Sequence, residues 1–161
     1  MHSIKNKFTL NVVLIFSIFA LITAYFIQYI LNHKPCNLCL IERIPYLAAI
    51  IFISLIFILN KFEKIISLIV GLFFIFGAVV SFYHFGIEQG FFNESVVCDL
   101  GGSSKVTSTQ DLLKQLEKET VSCKDVTFKV LGLSLATFNT IISIILSAIM
   151  FKIVINYEKN K

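Results

Sequence analysis

Ile65–Ile87 reads IISLIVGLFFIFGAVVSFYHFGI, a run without a single Asp, Glu, Lys or Arg. A helix needs roughly 20 apolar residues to cross the hydrocarbon core of a bilayer, and this run supplies them. Lipid offers a backbone no hydrogen-bond partners, so such a segment must be helical there, whatever its share of β-branched Ile and Val. Working outward, Phe8–Leu31 and Leu40–Asn60 precede it and Val130–Ile155 follows, each long and apolar enough to do the same. The composition of the 161-residue chain agrees: 57% hydrophobic and only 15% charged, where a soluble domain carries about 25%, with mean hydropathy +0.84. A soluble helical core would require polar faces that these segments lack. The expectation is an all-α membrane bundle of four spans, one domain over residues 1–161. The first run exceeds the h-region of a signal peptide, and His33, Lys34, Pro35 and Cys36 follow it in place of a small-residue cleavage site; it is expected to remain as a span.

Four spans put both termini on one side. Lys5, Lys7, Lys61, Lys64, Lys152, Lys159 and Lys161 crowd that side, whereas Lys34, Arg43, Lys105, Lys114, Lys118, Lys124 and Lys129 are spread over about twice the length on the other. The density of basic residues therefore makes the termini cytoplasmic. Two loops, about 32–39 and 88–129, then lie outside. The long one gathers most of the acidic residues and a flexible run, Gly101, Gly102, Ser103 and Ser104. Within it Ser108 and Asp111 resemble a capping box ahead of a short helix with Leu112, Leu113 and Leu116 on one face. That helix could rest on the membrane surface or pack on the spans. Asn93-Glu94-Ser95 matches a glycosylation sequon, a pattern short enough to arise by chance. No repeat, nucleotide-binding glycine loop or nucleic-acid patch is present, and nothing requires more than a monomer.

The four cysteines carry the chemistry. Cys36 and Cys39 make a C-x-x-C in the first outer loop, and Cys98 and Cys123 lie in the second. All fall on the side assigned, on independent grounds, to the outside, where disulfides persist. A C-x-x-C ring is too short to gain much chain-entropy stabilisation and suits cycling between dithiol and disulfide. Cys39 stands near the amino end of the second span, where the helix dipole favours a thiolate. Arg43, four residues on, would share its face if the helix runs through, and could lower its pKa or stabilise charge on an electron acceptor. Pro45 would leave too short a span if the helix began there, so a helix from near Leu40 with a kink at Pro45, freeing the Ile41 carbonyl, is expected. Glu42 beside Arg43 suggests an ion pair or a polar site at the membrane edge. His84 and Glu88, four residues apart, should point inward. There His84 is either a hydrogen bond between helices or a donor to a bound carbonyl. Two other readings of the cysteines compete: a four-thiolate metal site, for which no second C-x-x-C exists, and two inert structural disulfides.

Cys36-Asn37-Leu38-Cys39-Leu40-Ile41-Glu42-Arg43 resembles the C-x-L-C-x-x-E-R signature of the disulfide bond formation protein B (DsbB) family. Tyr83-His84-Phe85-Gly86-Ile87-Glu88 resembles the Y-H-x-G-x-E segment of one branch, and Leu131-Gly132-Leu133-Ser134-Leu135-Ala136 the opening of its fourth span. The resemblance covers nearly the whole chain. It implies a bacterial inner-membrane thiol:quinone oxidoreductase with periplasmic redox loops, using ubiquinone or menaquinone and no metal. Its partner would be a thioredoxin-fold disulfide oxidase. The implied relay has the partner attack Cys98–Cys123 at Cys98, Cys123 exchange with Cys36, and Cys39 leave as a thiolate facing a quinone held by Arg43 and His84, with Glu42 in the same site. The resting pairs would be Cys36–Cys39 with Cys98–Cys123, or an inter-loop bond. One departure is visible: the chain has no tryptophan, and Phe128 stands where relatives often carry an indole. Outside the family reading, a protein delivering reducing equivalents outward, or a structural or metal-binding membrane protein with fixed disulfides, would also use these cysteines.

Overall fold

The computed structural model describes residues 2–59, 62–93, Cys98, Cys123, 129–130 and 133–159. Its helices are α1 (His2–Tyr29), α2 (Asn37–Ile41), α3 (Ile44–Leu59), α4 (Glu63–Glu88) and α5 (Leu135–Lys159). With α2 and α3 taken as one interrupted rod, four of them are long and apolar enough to cross a membrane: Asn6–Tyr29, Asn37–Leu59, Glu63–Glu88 and Leu135–Asn156. Large apolar side chains stand exposed on every outer face, among them Ile15 and Phe19 of α1, Ile58 of α3, Val79 and Phe82 of α4, and Ile144 of α5. Apolar surface of that extent, wrapped around each helix, is what hydrocarbon covers. The chain is an all-α, multi-pass membrane protein.

The bundle is organised on α4. Its buried positions Ser67, Val70, Phe74, Gly77, Ser81 and His84 recur every three or four residues, which is the seam of a near-antiparallel helix pair. Its most extensive partner is α5, and it also packs on α3 and α2, while α1 leans on α3. Lipid removes the hydrophobic drive between helices, so small residues and close van der Waals contact must hold them. The seam supplies both. Ser147 Oγ donates to the Gly71 carbonyl at 3.3 Å, and a Cβ at Gly77 would stand 2.8 Å from Pro45 Cγ and 3.5 Å from Ser143 Oγ. Leu10, Val13, Ile53, Val70, Phe74 and Met150 fill the half of the bundle nearer the termini. At the other end Cys36, Leu38, Ile87, Cys98 and Cys123 form a second cluster.

Three departures from expectation each have a local reason. The second span begins at Asn37, three residues before Leu40, because Cys36 caps it: in extended conformation (φ −74°, ψ 169°), its Sγ accepts from the Cys39 N–H. Its interruption lies at Glu42–Arg43, ahead of Pro45 and not at it. The Arg43 N–H turns back to the Leu40 carbonyl at 3.2 Å, and the Arg43 carbonyl starts the next helix by accepting from Leu47 at 3.1 Å. Proline thereby falls in the first turn of α3, where its missing N–H costs nothing. The fourth span starts at Leu135 rather than Val130. Residues 129–130 (β1) and 133–134 (β2) pair as a two-residue antiparallel ladder, Lys129 opposite Ser134 and Val130 opposite Leu133. Ser134 Oγ then accepts from the Thr137 N–H, an N-cap that fixes the helix start. The glycine-serine run, the expected helix near Ser108–Leu116, Phe128 and most of the sequon lie outside the described residues.

Candidate functional site

Each cysteine reaches the site by a short-range device. α1 ends where Asn32 adopts the left-handed conformation (φ 55°), which Asn tolerates, and the His33 N–H returns to the Ile27 carbonyl at 3.2 Å. Pro35 then leads into the Cys36 cap. The two C-x-x-C sulfurs face each other at 2.7 Å. Cys98 and Cys123 form a disulfide and pack in the same buried cluster as Cys36. Cys36 and Cys39 are free thiols, so of the two resting arrangements expected this shows only the second-loop bond. Beyond α4, the ring of Phe92 lies so tightly over Gly86 that any Cβ there would collide with it. The Tyr83 hydroxyl donates to the Asn93 carbonyl at 3.2 Å, which draws the start of the long loop back over the helix end.

Around Cys36 the polar groups of the spans converge. His84 Nδ1 lies 2.7 Å from Glu42 Oε1, and His84 Nε2 lies 3.6 Å from Cys36 Sγ. Glu42 Oε2 accepts from Asn139 Nδ2 at 2.9 Å. Asn139 also donates to Ser81 Oγ at 2.6 Å and accepts from the Tyr46 hydroxyl at 2.5 Å. A chain of hydrogen bonds thus runs from the Cys36 thiol into the bundle through His84, Glu42 and Asn139, tying α2, α4, α5 and α3 together. A carboxylate at Nδ1 holds a ring proton there and turns Nε2 toward sulfur, where it can carry the proton that a Cys36 thiolate gives up. Glu88, one turn beyond His84, brings Oε1 to 3.7 Å from Nε2.

The thiol of Cys36, just ahead of the second span, is pulled from the ordinary thiol range down to about 4. The hydrogen bond from the Cys39 thiol is the largest cause; burial opposes it, and His84 and the Cys39 amide reinforce it. The Cys39 thiol, with the amide at the helix start as a lesser contributor, therefore favours a thiolate on Cys36, the capping residue, where the sequence pointed to Cys39. Glu42 and Arg43 turn apart: Glu42 points inward to His84 and Asn139, while Arg43 Nη1 donates to Gln28 Oε1 at 2.6 Å. The guanidinium carbon also stands 5.0 Å over the Tyr25 ring of α1. Adjacent residues on a helical backbone point about 100° apart, and Arg43 and Cys39 line the same cavity.

Between α1 and α5 the bundle leaves a cavity of about 410 Å³. Its polar end is formed by Cys36, Cys39, Glu42, Arg43 and His84, and its length by Phe16, Ala20, Ala24, Phe138 and Ile142. Six of the seven expected site residues, Cys36, Cys39, Glu42, Arg43, His84 and Cys123, thus line one cavity. The sequence reading missed Asn139, Tyr46, Ser81 and Gln28. A lone amide in an apolar span, as at Asn139 and Gln28, was the available signal.

A membrane bundle that brings two cysteine pairs into one buried cluster defines a thiol–disulfide protein of the bilayer. The chain belongs to the DsbB family: the family profile described as Disulfide bond formation protein DsbB matches residues 6–153, which makes it an oxidoreductase of disulfide formation. It is 32% identical to the uncharacterized protein RP370 of Rickettsia prowazekii (strain Madrid E), over 98% of this chain and 94% of that protein. It is 39% identical over 88 residues to the SPbeta prophage-derived disulfide bond formation protein B of Bacillus subtilis (strain 168), covering 55% of this chain and 57% of that one. No solved structure matches it.

Proposed function

We propose that this protein is a thiol:quinone oxidoreductase that reoxidises a thioredoxin-fold disulfide oxidase and passes two electrons to a membrane quinone. The observation that carries this reading is the position of Cys39, with the second cysteine pair packed behind Cys36 and an amphipathic cavity in front. The cavity lies within the 300–1,000 Å³ typical of small-molecule sites. Its polar end offers guanidinium and sulfur to a headgroup, and its apolar length suits an isoprenoid tail. A bound quinone would supply the two-electron, two-proton acceptor; ubiquinone and menaquinone both meet that description.

The residues of the chain divide the remaining work. A thiolate of the partner attacks the Cys98–Cys123 disulfide at Cys98, and Cys123 leaves. Cys123 then attacks the Cys36–Cys39 disulfide at Cys36, forming Cys36–Cys123 and releasing Cys39 as a thiolate. The partner's second thiol closes the partner's own disulfide and frees Cys98. Cys98 attacks Cys123 to re-form Cys98–Cys123 and release Cys36, so the partner's two electrons come to rest on the C-x-x-C pair. The low pKa of Cys36 makes it a persistent thiolate, while Cys39 faces the cavity. His84 Nε2 is placed to hold the proton leaving Cys36, with Glu42 stabilising the imidazolium. Arg43 supplies fixed positive charge at the cavity mouth. A direct contact from His84 to a quinone carbonyl would require Nε2 to turn from Cys36, so Arg43 is the better candidate for that contact. The redox loops would lie in the periplasm and both termini in the cytoplasm of a bacterial inner membrane.

The test is turnover of the purified protein with a reduced thioredoxin-fold oxidase and a short-chain quinone, followed by quinone absorbance. Cys39→Ser should abolish quinone reduction; full activity in that variant would sink the proposed role.

A further inference from the structure

We infer that the reduced C-x-x-C pair, with His84 and Glu88, forms a binding site for a zinc-class divalent cation, occupied only when the cysteines are reduced. Cys36 Sγ, Cys39 Sγ and one ring nitrogen of His84 lie within 4.8 Å of one another. Two thiolates and an imidazole are a zinc donor set, with bonds of about 2.3 Å to sulfur and about 2.0 Å to nitrogen. The surroundings are those of a metal-binding histidine. Glu42 holds Nδ1 at 2.7 Å, the carboxylate–histidine arrangement that fixes the tautomer and turns the other nitrogen toward a metal. Glu88 stands one helical turn from His84, outside the cluster of three donors, and would have to swing toward the sulfurs to be the fourth ligand. The Glu88 side chain is only 6% exposed, its Oε1 is 3.7 Å from His84 Nε2, and its Oε2 is buried without a hydrogen-bond partner among the described residues. A buried carboxylate oxygen without a hydrogen-bond partner, one helical turn from the imidazole that joins the two sulfurs, is a group that a cation would satisfy.

The chemistry balances without a co-reactant. The entering cation takes the place of the proton shared by Cys36 and His84 and of the Cys39 thiol proton. Two protons leave, two thiolates offset the doubly charged ion, and no electron moves. Sulfurs on a tetrahedral zinc ion stand about 3.8 Å apart, so the pair at 2.7 Å has to open by about 1 Å. A disulfide bond of about 2.05 Å forbids that separation. The oxidised protein therefore has no site, and a bound cation blocks reoxidation of the pair. The cavity between α1 and α5 gives access.

The inference does not depend on a quinone or a partner, and its test uses neither. The full-length chain carrying Cys98→Ser and Cys123→Ser, in detergent, keeps only the C-x-x-C thiols. Zn²⁺ is titrated against a chromogenic chelator, with Cd²⁺ and its ultraviolet thiolate charge-transfer band as a second probe. The reduced protein should take up one Zn²⁺ per chain and the diamide-oxidised protein none, a comparison between two redox states of one and the same chain. His84→Ala, which retains both thiols, should weaken Zn²⁺ binding by at least about tenfold, and bound Zn²⁺ should slow diamide oxidation of the pair. Equal uptake by reduced and oxidised protein, or undiminished affinity in His84→Ala, would overturn the site.

Discussion

At the scale of single residues the decisive feature is the difference between Cys36 and Cys39. They are three positions apart and both line the cavity, yet Cys36 is the buried cap of α2 that receives hydrogen bonds, and Cys39 gives them from its amide and thiol. A group whose pKa falls to about 4 stays a thiolate through neutral pH and loses its charge only as the pH drops through that value. In metal-free buffer, with Cys98 and Cys123 replaced by serine, alkylation of Cys36 should be nearly independent of pH from about 5.5 to 8. An ordinary thiol, with pKa near 8.5, would slow about tenfold per unit over most of that range. Cys39→Ala removes the largest cause of the shift, so the Cys36 profile should then move toward higher pH. Site-resolved mass spectrometry reads both; a tenfold fall per unit in the unmodified pair would refute the assignment. Glu42 belongs to the same scale. Glu42→Leu strips His84 and Asn139 of their shared acceptor, and with the base no longer oriented, turnover should fall on the order of 10²-fold.

The elements place these residues through close approach. Pro45 against Gly77 fixes the height of α3 on α4, and Ser81 and His84 follow Gly77 at four and seven residues along the buried seam. Gly77→Val should therefore cost about 1–3 kcal/mol by overpacking and also lengthen the Glu42–His84 contact. Gly71→Ala, whose Cβ would meet Met150 at 3.4 Å, should be milder. Thermal unfolding in detergent and turnover measured on both variants check this; equal losses would mean that the Pro45 contact does not set the register. The spans themselves were legible in the sequence because the bilayer dictates them: Ile65–Ile87 has no alternative to a helix. The interruption at Glu42–Arg43 was not. Pro45 announces a break, but which side of it the backbone yields depends on the Cys36 cap and on Glu42 finding His84. The short ladder before α5 was equally hidden, since Leu133 and Ser134 read as apolar helix until Ser134 is seen to cap it. His84, Glu42 and Arg43 could each be singled out as polar groups in a membrane, but their pairing could not. Glu42 meets His84 across 42 residues and Asn139 across 97, and only the assembled bundle makes those choices.

Across the whole molecule the packing is divided. The half near the termini is filled by apolar side chains that interlock through Phe74, Val70 and Met150, while the cysteine half contains the polar network and the cavity. A rigid base beneath a hollow outer half suits a protein whose sulfur chemistry must meet a lipid-soluble molecule without opening the membrane. The proposed relay then has two separable stages, one through the cysteine cluster and one through the cavity, and filling the cavity should cut between them. Ala20, Ala24 and Gln28 present one face of α1 to that space. Ala24→Trp places an indole in it, away from all four cysteines. A resting protein with both pairs oxidised holds two disulfides, so it should still oxidise about two equivalents of reduced partner in a single pre-steady-state phase. Steady-state oxidation with added quinone should fall at least about tenfold, the order of effect expected when an acceptor is misplaced by an ångström or so. Rapid mixing with acid quenching and thiol counting gives the first quantity, quinone absorbance the second. Loss of both would mean the substitution disturbed the fold, which thermal unfolding would reveal. An intact burst with unchanged steady-state turnover would mean that electrons leave by a route other than the space between α1 and α5.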